Sequence, residues 1–203
     1  MVAQAADLLR QAGATKIVGG EEQRPERRLA VIVNGDVVGF SRLMGADHEF
    51  TMDTLTACRE VLSRLVVQHR GRIVNAVGDS VLAEFQSAVD AVTCACEIQV
   101  ELGLRNASEP ETRKMQFRFG INVGDVLMNG GDLYGDGVNV AARVQALAEP
   151  GGICVTDAVY RHVKARLPYR FQSLGARDLK NITDPVEVYA VIPAAAGAQG
   201  TSQ

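Results

Sequence analysis

The stretch Leu29–Ser41 (LAVIVNGDVVGFS) constrains this chain more than any other. Leu29–Asn34 is an apolar run rich in β-branched residues and reads as a buried strand. It then drops a lone acid, Asp36, at its tip and turns through Gly39 toward a helix opened by Ser41. Backbone amides at a helix entry receive phosphate oxygens, and a carboxylate beside them holds the cation that bridges those oxygens. Many strands end in Asp merely to make a turn, so the pattern gains meaning only if the fold brings a second acid to the same place.

At 203 residues and 47% hydrophobic, the chain suits one domain with a substantial core. The expected division is a tail or linker over 1–28, a domain over 29–192 and a disordered tail over 193–203, which is rich in Ala and Gly. Ala5–Gln11 reads as a short amphipathic helix within the first segment. A net charge of −3, no Trp and 5% aromatics argue against a nucleic-acid partner, which wants basic surface and stacking platforms. No apolar run is long enough to span a membrane, and the N-terminus lacks a signal peptide's order, so the expected location is the cytoplasm. Cys94 and Cys96 stand two apart in a helical pattern, which argues against a metal clip. With Cys58 and Cys154 they are expected to be reduced, half-buried thiols.

After Ser41 a long helical segment reaches Arg70, and Gly71 is expected to end it. Gly71–Val77 and Ser80–Phe85 read as strands joined across Gly78-Asp79. Ser87 caps a helix to about Leu102, with Asp90 completing a capping box. Met115–Val123 and Val126–Asn129 read as a second hairpin across Gly124-Asp125. Gly130–Gly137 follows as a loop and Val138–Ala148 as a helix. A strand at Ile153–Thr156, a helix at Asp157–Arg166, and strands near Tyr169–Ser173 and Val186–Val191 close the chain.

The order strand–helix–strand–strand–helix–strand predicts an α+β fold with a ferredoxin-like βαββαβ core and extra C-terminal strands and a helix. In that unit the second strand runs parallel to the first. The tip of the first strand and the turn before the third therefore share one edge of the sheet, and Asp36 lies beside Asp79. Two neighbouring carboxylates repel unless cations sit between them, so a divalent metal is the expected occupant. Asn139 and Arg143, four apart, share a helical face, which reads either as a solvated helix side, the commoner case for an isolated pair, or as a pair suited to a sugar oxygen and a phosphate.

Together the motifs NGDVVGFS, GRIVNAVGDSVLAEF, FRFGINVGDV, DLYGDGVNVAARVQALAEPGGICVT and LKNITDPVEVYAV resemble the catalytic domain of class III adenylate and guanylate cyclases, over about Arg27–Val191. The resemblance implies a head-to-tail homodimer with active sites between subunits. It implies two Mg²⁺ or Mn²⁺ ions per site on Asp36, Asp79 and the Val37 carbonyl, with the backbone of Val38, Gly39, Phe40 and Ser41 holding the triphosphate of ATP or GTP. From the partner copy, Asn139 matches the ribose-orienting residue, Arg143 the stabiliser of the transition state, Asp132 the reader of the adenine amino group, and Lys180 a triphosphate contact. Adenylate cyclases usually carry lysine where this chain has Asn75, and guanylate cyclases usually carry glutamate there. The implied reaction is ATP to 3′,5′-cyclic AMP and pyrophosphate. The alternatives are a guanylate cyclase or a catalytically weak or silent cyclase-like module.

Overall fold

The computed structural model describes residues 26–193. The expected helix at Ala5–Gln11 and the rest of 1–25 lie outside them, as does 194–203. The first strand, β1 (Glu26–Val37), sits centrally in an eight-stranded sheet. Val31, Val33 and Val37 enter the main core, whereas Ala30 and Ile32 enter a second cluster on the opposite face. Burial on both faces explains why the run is apolar without alternation. β1 also begins earlier than Leu29, because Glu26–Arg28 pair with Met128–Val126.

The chain continues through α1 (Phe40–Ala46), α2 (His48–Gln68), β2 (Arg72–Asn75), β3 (Val81–Phe85), α3 (Ala88–Asn106) and β4 (Phe117–Asn129). Then come β5 (Asp132–Tyr134), α4 (Asp136–Gln145), β6 (Ile153–Thr156), α5 (Asp157–Val163), β7 (Arg170–Arg177) and β8 (Val186–Ile192). The strand order is β2-β3-β1-β4-β6-β8-β7, with β5 pairing β4 off that path. β1 is antiparallel to β3 and β4, and β2 is antiparallel to β3, so β2 runs parallel to β1 as expected. β6 joins β4 in parallel and carries the C-terminal strands outward. This is the α+β, ferredoxin-like core read from the sequence, extended on one side.

Helices α2, α3 and α5 cover one face through Leu55, Leu62, Val92, Ala95, Val159 and Val163. α2 and α3 start on side-chain caps, the second as the sequence suggests, and α5 has none. Asp47 Oδ1 accepts from the Phe50 amide and Ser87 Oγ from the Asp90 amide, each at 3.2 Å. Only half of the expected capping box forms, since the Asp90 carboxylate lies 3.9 Å from Arg70 Nε. The left-handed residue after α2 is Arg70 (φ 59°), not Gly71. Gly71 is instead a packing requirement, because a Cβ there would stand 2.4 Å from the Phe85 ring.

Gly124-Asp125 is not a hairpin. β4 runs straight through it, with Gly124 opposite Ala30 and Asp125 opposite Leu29. The reversal comes at Gly130-Gly131 (φ 60° and 95°), inside the segment read as a loop, and pairs Asn129 with Asp132. Two positive φ values in a two-residue turn suit the twist of the flanking strands. The β2–β3 connection is also longer than read. Pairing ends at Asn75 and Leu82, and the turn between them closes by the Ser80 amide donating to the Val77 carbonyl at 3.0 Å, with Gly78 at φ 58°.

On the other face, among the described residues, lies α4 alone, seated by glycines. A Cβ on Gly120 would stand 2.2 Å from the Gln145 amide nitrogen and 2.3 Å from the Ala141 carbonyl oxygen. Gly124 and Gly137 meet in the same way, a Cβ on Gly124 reaching 3.0 Å from the Gly137 Cα. The helix thus rests on β4 backbone to backbone. Gly120→Ala must push α4 off the sheet, and we expect it to destabilise the fold by about 3 kcal/mol in denaturant titration.

The four cysteines are free and fully buried, deeper than the half-burial expected. Burial pushes the Cys94 and Cys96 thiols up to about 12 and the Cys58 and Cys154 thiols up to about 11. A thiol reagent at pH 8 should therefore label none of them until the chain is unfolded. Because these thiols ionise more readily when unfolded, their contribution to stability is present below pH 9. It should fall away as pH rises toward 11–12, lowering the melting temperature there.

Candidate active site

β1 delivers Asp36 to the sheet edge, directly opposite Arg118 on β4. The two form a bidentate pair, Arg118 Nε to Asp36 Oδ1 at 2.9 Å and Nη2 to Oδ2 at 3.2 Å, with side chains 28% and 23% exposed. Gln145, buried at the end of α4, donates from Nε2 to the same Oδ1 at 2.6 Å. Arg118 Nη1 also reaches the Ala146 carbonyl at 3.2 Å, tying the end of α4 to this point.

Asp79 stands in the turn before β3, and Gly35 pairs with Val81 two residues beyond it. The Asp36 hydrogen bond holds the Arg118 guanidinium above its ordinary pKa. Burial opposes this, and the charges of Asp36 and Asp79 add to it. Arg118 pairs directly with Asp36, and Asp79 adds a weaker charge effect from farther away. Arg59 on α2 grips the turn from beneath through the Gly78 and Ala76 carbonyls.

The Arg118 guanidinium is held by Asp36 itself, two residues along the chain from the Val38 turn. The donor set of two carboxylates plus the nearby Val37 carbonyl is all oxygen, which suits Mg²⁺ or Mn²⁺. No group of three or more His, Cys, Asp or Glu is disposed to hold a metal among the described residues. A cation on Asp36 and Asp79 would thus complete its shell with carbonyl, phosphate or water oxygens.

The turn after Val37 departs from expectation in two ways. Its helix, α1, is opened by Gly39 in the left-handed conformation (φ 67°), not by Ser41, because only that backbone reverses the chain so soon after the strand. The Val38 amide donates to the Gln116 carbonyl at 2.9 Å and so is not free for a phosphate. The amides of Gly39, Phe40 and Ser41 remain at the helix entry.

Asn139 and Arg143 are exposed on α4, while Ala141, Val144 and Gln145 face the sheet. Gln145 turns toward Asp36, whereas Arg143, two residues earlier and about 200° around the helix, points away from it. Lys180 is exposed in the β7–β8 loop beside Leu179, which is buried against Val144 and Ala148 under α4. Asn75, at the end of β2, and Asp132, on β5, are both exposed. Asn75 thus lies at the same end of the sheet as Asp36, four residues before Asp79 in the chain, while Asp132, Asn139, Arg143 and Lys180 are exposed on other elements.

The β4–β5 arm that carries Asp132 is anchored by a network that residue spacing did not reveal. Glu84 is nearly buried between Arg28 and Arg72, and Arg72 Nη2 donates to its Oε2 at 2.8 Å. The contact of Arg28 Nη2 with Oε1 is ionic rather than a directed hydrogen bond, since Oε1 and Arg28 Nε have no hydrogen-bond partner. Arg72 Nη1 donates to the Gly131 carbonyl at 2.9 Å, at the tip of the arm. Arg118 and Gln145 were likewise not singled out. An arginine in a strand and a glutamine on a helix look ordinary until the fold stacks both on Asp36.

The family model for the adenylate and guanylate cyclase catalytic domain matches residues 24–193. The chain belongs to this family and is a class III nucleotidyl cyclase domain. Among curated relatives, "Putative adenylate cyclase 3" of Rhizobium meliloti is 45% identical over 168 residues, 82% of this chain and 29% of that protein. An adenylate cyclase of Streptomyces coelicolor is 34% identical over 152 residues, 74% of this chain and 38% of that protein. The chain therefore spans well under half the length of either. An adenylate/guanylate cyclase/hydrolase structure from Silicibacter pomeroyi superposes with a TM-score of 0.79 at 40% identity, covering 84% of this chain and 100% of that one. The adenylyl cyclase CyaB of P. aeruginosa shares the fold, with a TM-score of 0.76 at 22% identity over 85% of this chain and 98% of that one. No helix among the described residues is long and apolar enough to cross a membrane.

Glu84→Ala leaves two partly exposed arginines without their acid. It should lower stability by about 2 kcal/mol and speed amide exchange at Gly131–Leu133, read by hydrogen–deuterium exchange.

Proposed function

We propose that this domain is an adenylate cyclase working as a head-to-tail homodimer. The observation that supports the reading is that Asp36 stands at the tip of β1 beside the turn after Val37, next to the strand pair that ends at the Asp79 turn, with Arg143 exposed on the adjoining helix. Such a site is half-built in one chain, and a second copy turned end for end supplies the rest.

Asp36 and Asp79, with the Val37 carbonyl, would hold two Mg²⁺ or Mn²⁺ ions. Bound there, the ions would lower the pKa of the ribose 3′-hydroxyl and offset the phosphate charge. The amides of Gly39, Phe40 and Ser41 receive triphosphate oxygens. From the second copy, Asn139 orients the ribose so that its 3′-oxygen attacks the α-phosphorus in line as pyrophosphate leaves. Arg143 meets the charge growing on the α-phosphate, a role worth on the order of a thousandfold. Lys180 balances the outer phosphates.

The base is read by Asp132, which accepts from the adenine amino group, and by Asn75, whose amide donates one uncharged hydrogen bond to N1. Guanine would turn its O6 acceptor toward the Asp132 carboxylate and leave both unpaired, which favours ATP over GTP. Replacement of the usual lysine by Asn75 weakens the hold on adenine, so turnover is expected to be modest.

Purified protein with Mg²⁺ or Mn²⁺ should convert ATP to cyclic AMP, and GTP to its cyclic product far more slowly. Asp36→Ala, Asp79→Ala and Arg143→Ala should each lower the rate by roughly a hundredfold or more. Mixing the Asp36→Ala and Arg143→Ala proteins should restore about a quarter of the activity, because half of randomly mixed dimers hold one complete site. No recovery from a mixture that still dimerises would rule out a site shared between chains. Tight ATP binding without product would point instead to a silent nucleotide-binding module.

A further inference from the structure

Asp36 is more heavily engaged than a metal ligand in waiting needs to be. A carboxylate oxygen offers two lone pairs. Both on Oδ1 are taken, one by Arg118 Nε at 2.9 Å and one by Gln145 Nε2 at 2.6 Å, while Oδ2 accepts from Arg118 Nη2 at 3.2 Å. The two donors are not equivalent. Arg118 is part-exposed and also reaches the Ala146 carbonyl, so it keeps an acceptor if it leaves Asp36. Gln145 is 5% exposed, and Asp36 is the one acceptor its side-chain amide has among the described residues. Its backbone cannot retreat either, since it lies against Gly120 of β4.

We propose that Gln145 is a latch on Asp36: its buried amide competes with the metal cation for Oδ1. The proposal rests on the reading of Asp36 as a metal-binding acid and adds a residue that governs how readily that acid accepts a cation. For a cation to bind through Oδ1, the Gln145 amide must turn aside into a place with no other acceptor. That lowers the affinity for metal by the worth of a hydrogen bond to a charged group. The latch is thus a positioning device, and it sits on the sheet side of the helix whose outer side carries Asn139 and Arg143.

The test uses Mn²⁺ alone, titrated into the full chain and followed by the electron paramagnetic resonance signal of the free ion, with Asp36→Ala as the site control. Gln145→Met keeps the length of the side chain and removes the donor. It should bind Mn²⁺ roughly tenfold more tightly than the wild type, and the gain should vanish when combined with Asp36→Ala. Damage to packing would weaken binding, so tighter binding separates a latch from a structural role. If Gln145→Met does not fold, Gln145→Ala, which is smaller, is measured in its place with the same expectation. Unchanged or weaker Mn²⁺ binding, with Asp36-dependent binding intact in the wild type, overturns the latch and leaves the cyclase reading standing. If neither protein binds Mn²⁺ in an Asp36-dependent way, the metal reading fails and the latch fails with it.

Discussion

The pairing of β1 with β4 organises this domain. The two strands run antiparallel over the whole length of β1, from Glu26 opposite Met128 to Val37 opposite Phe117. A ladder that long fixes its two ends relative to each other. At one end it sets Asp36 against Arg118. At the other it brings Arg28 to Met128 and Glu84, beside the arm that carries Asp132. Asp36 and the arm that carries Asp132 thus belong to opposite ends of one rigid ladder.

Much of this was legible in the sequence because burial leaves a period. The run Leu29–Asn34, the stripe through Leu55, Leu62 and Leu65, and the cap at Ser87 each announce their element. The order of elements was enough to expect Asp36 beside Asp79. What misled was the pair Gly124-Asp125, which has the composition of a turn and the structure of a strand. A glycine can mean that the chain must bend or that another backbone must come near. Sequence alone does not distinguish these, and here the second holds, because Gly137 lies against Gly124. The same ambiguity hid the true turn one step later, at Gly130-Gly131.

The candidate site divides into residues that motifs point to and supports that no motif marks. Asp36, Asp79, Asn139 and Arg143 stand in recognisable motifs. Arg118, Gln145 and Glu84 do not stand out, because their meaning comes from what they face across the sheet rather than from their neighbours in the chain. The Val38 amide shows the reverse, a group that looks available in the sequence and is spent on Gln116 in the fold.

The contact between α4 and the sheet has a bearing on how such a domain can change over time. Side chains that meet in a core can be traded for others of similar bulk, each trade nudging a helix by a fraction of an ångström. Where Gly120 lies under Ala141 and Gln145 there is nothing to trade, and the height of the helix is set by two main chains touching. Drift in this domain is therefore channelled away from the platform and into what stands upon it. Lineages can rewrite the outward residues and the β4–β5 arm while the stage beneath them stays where it was.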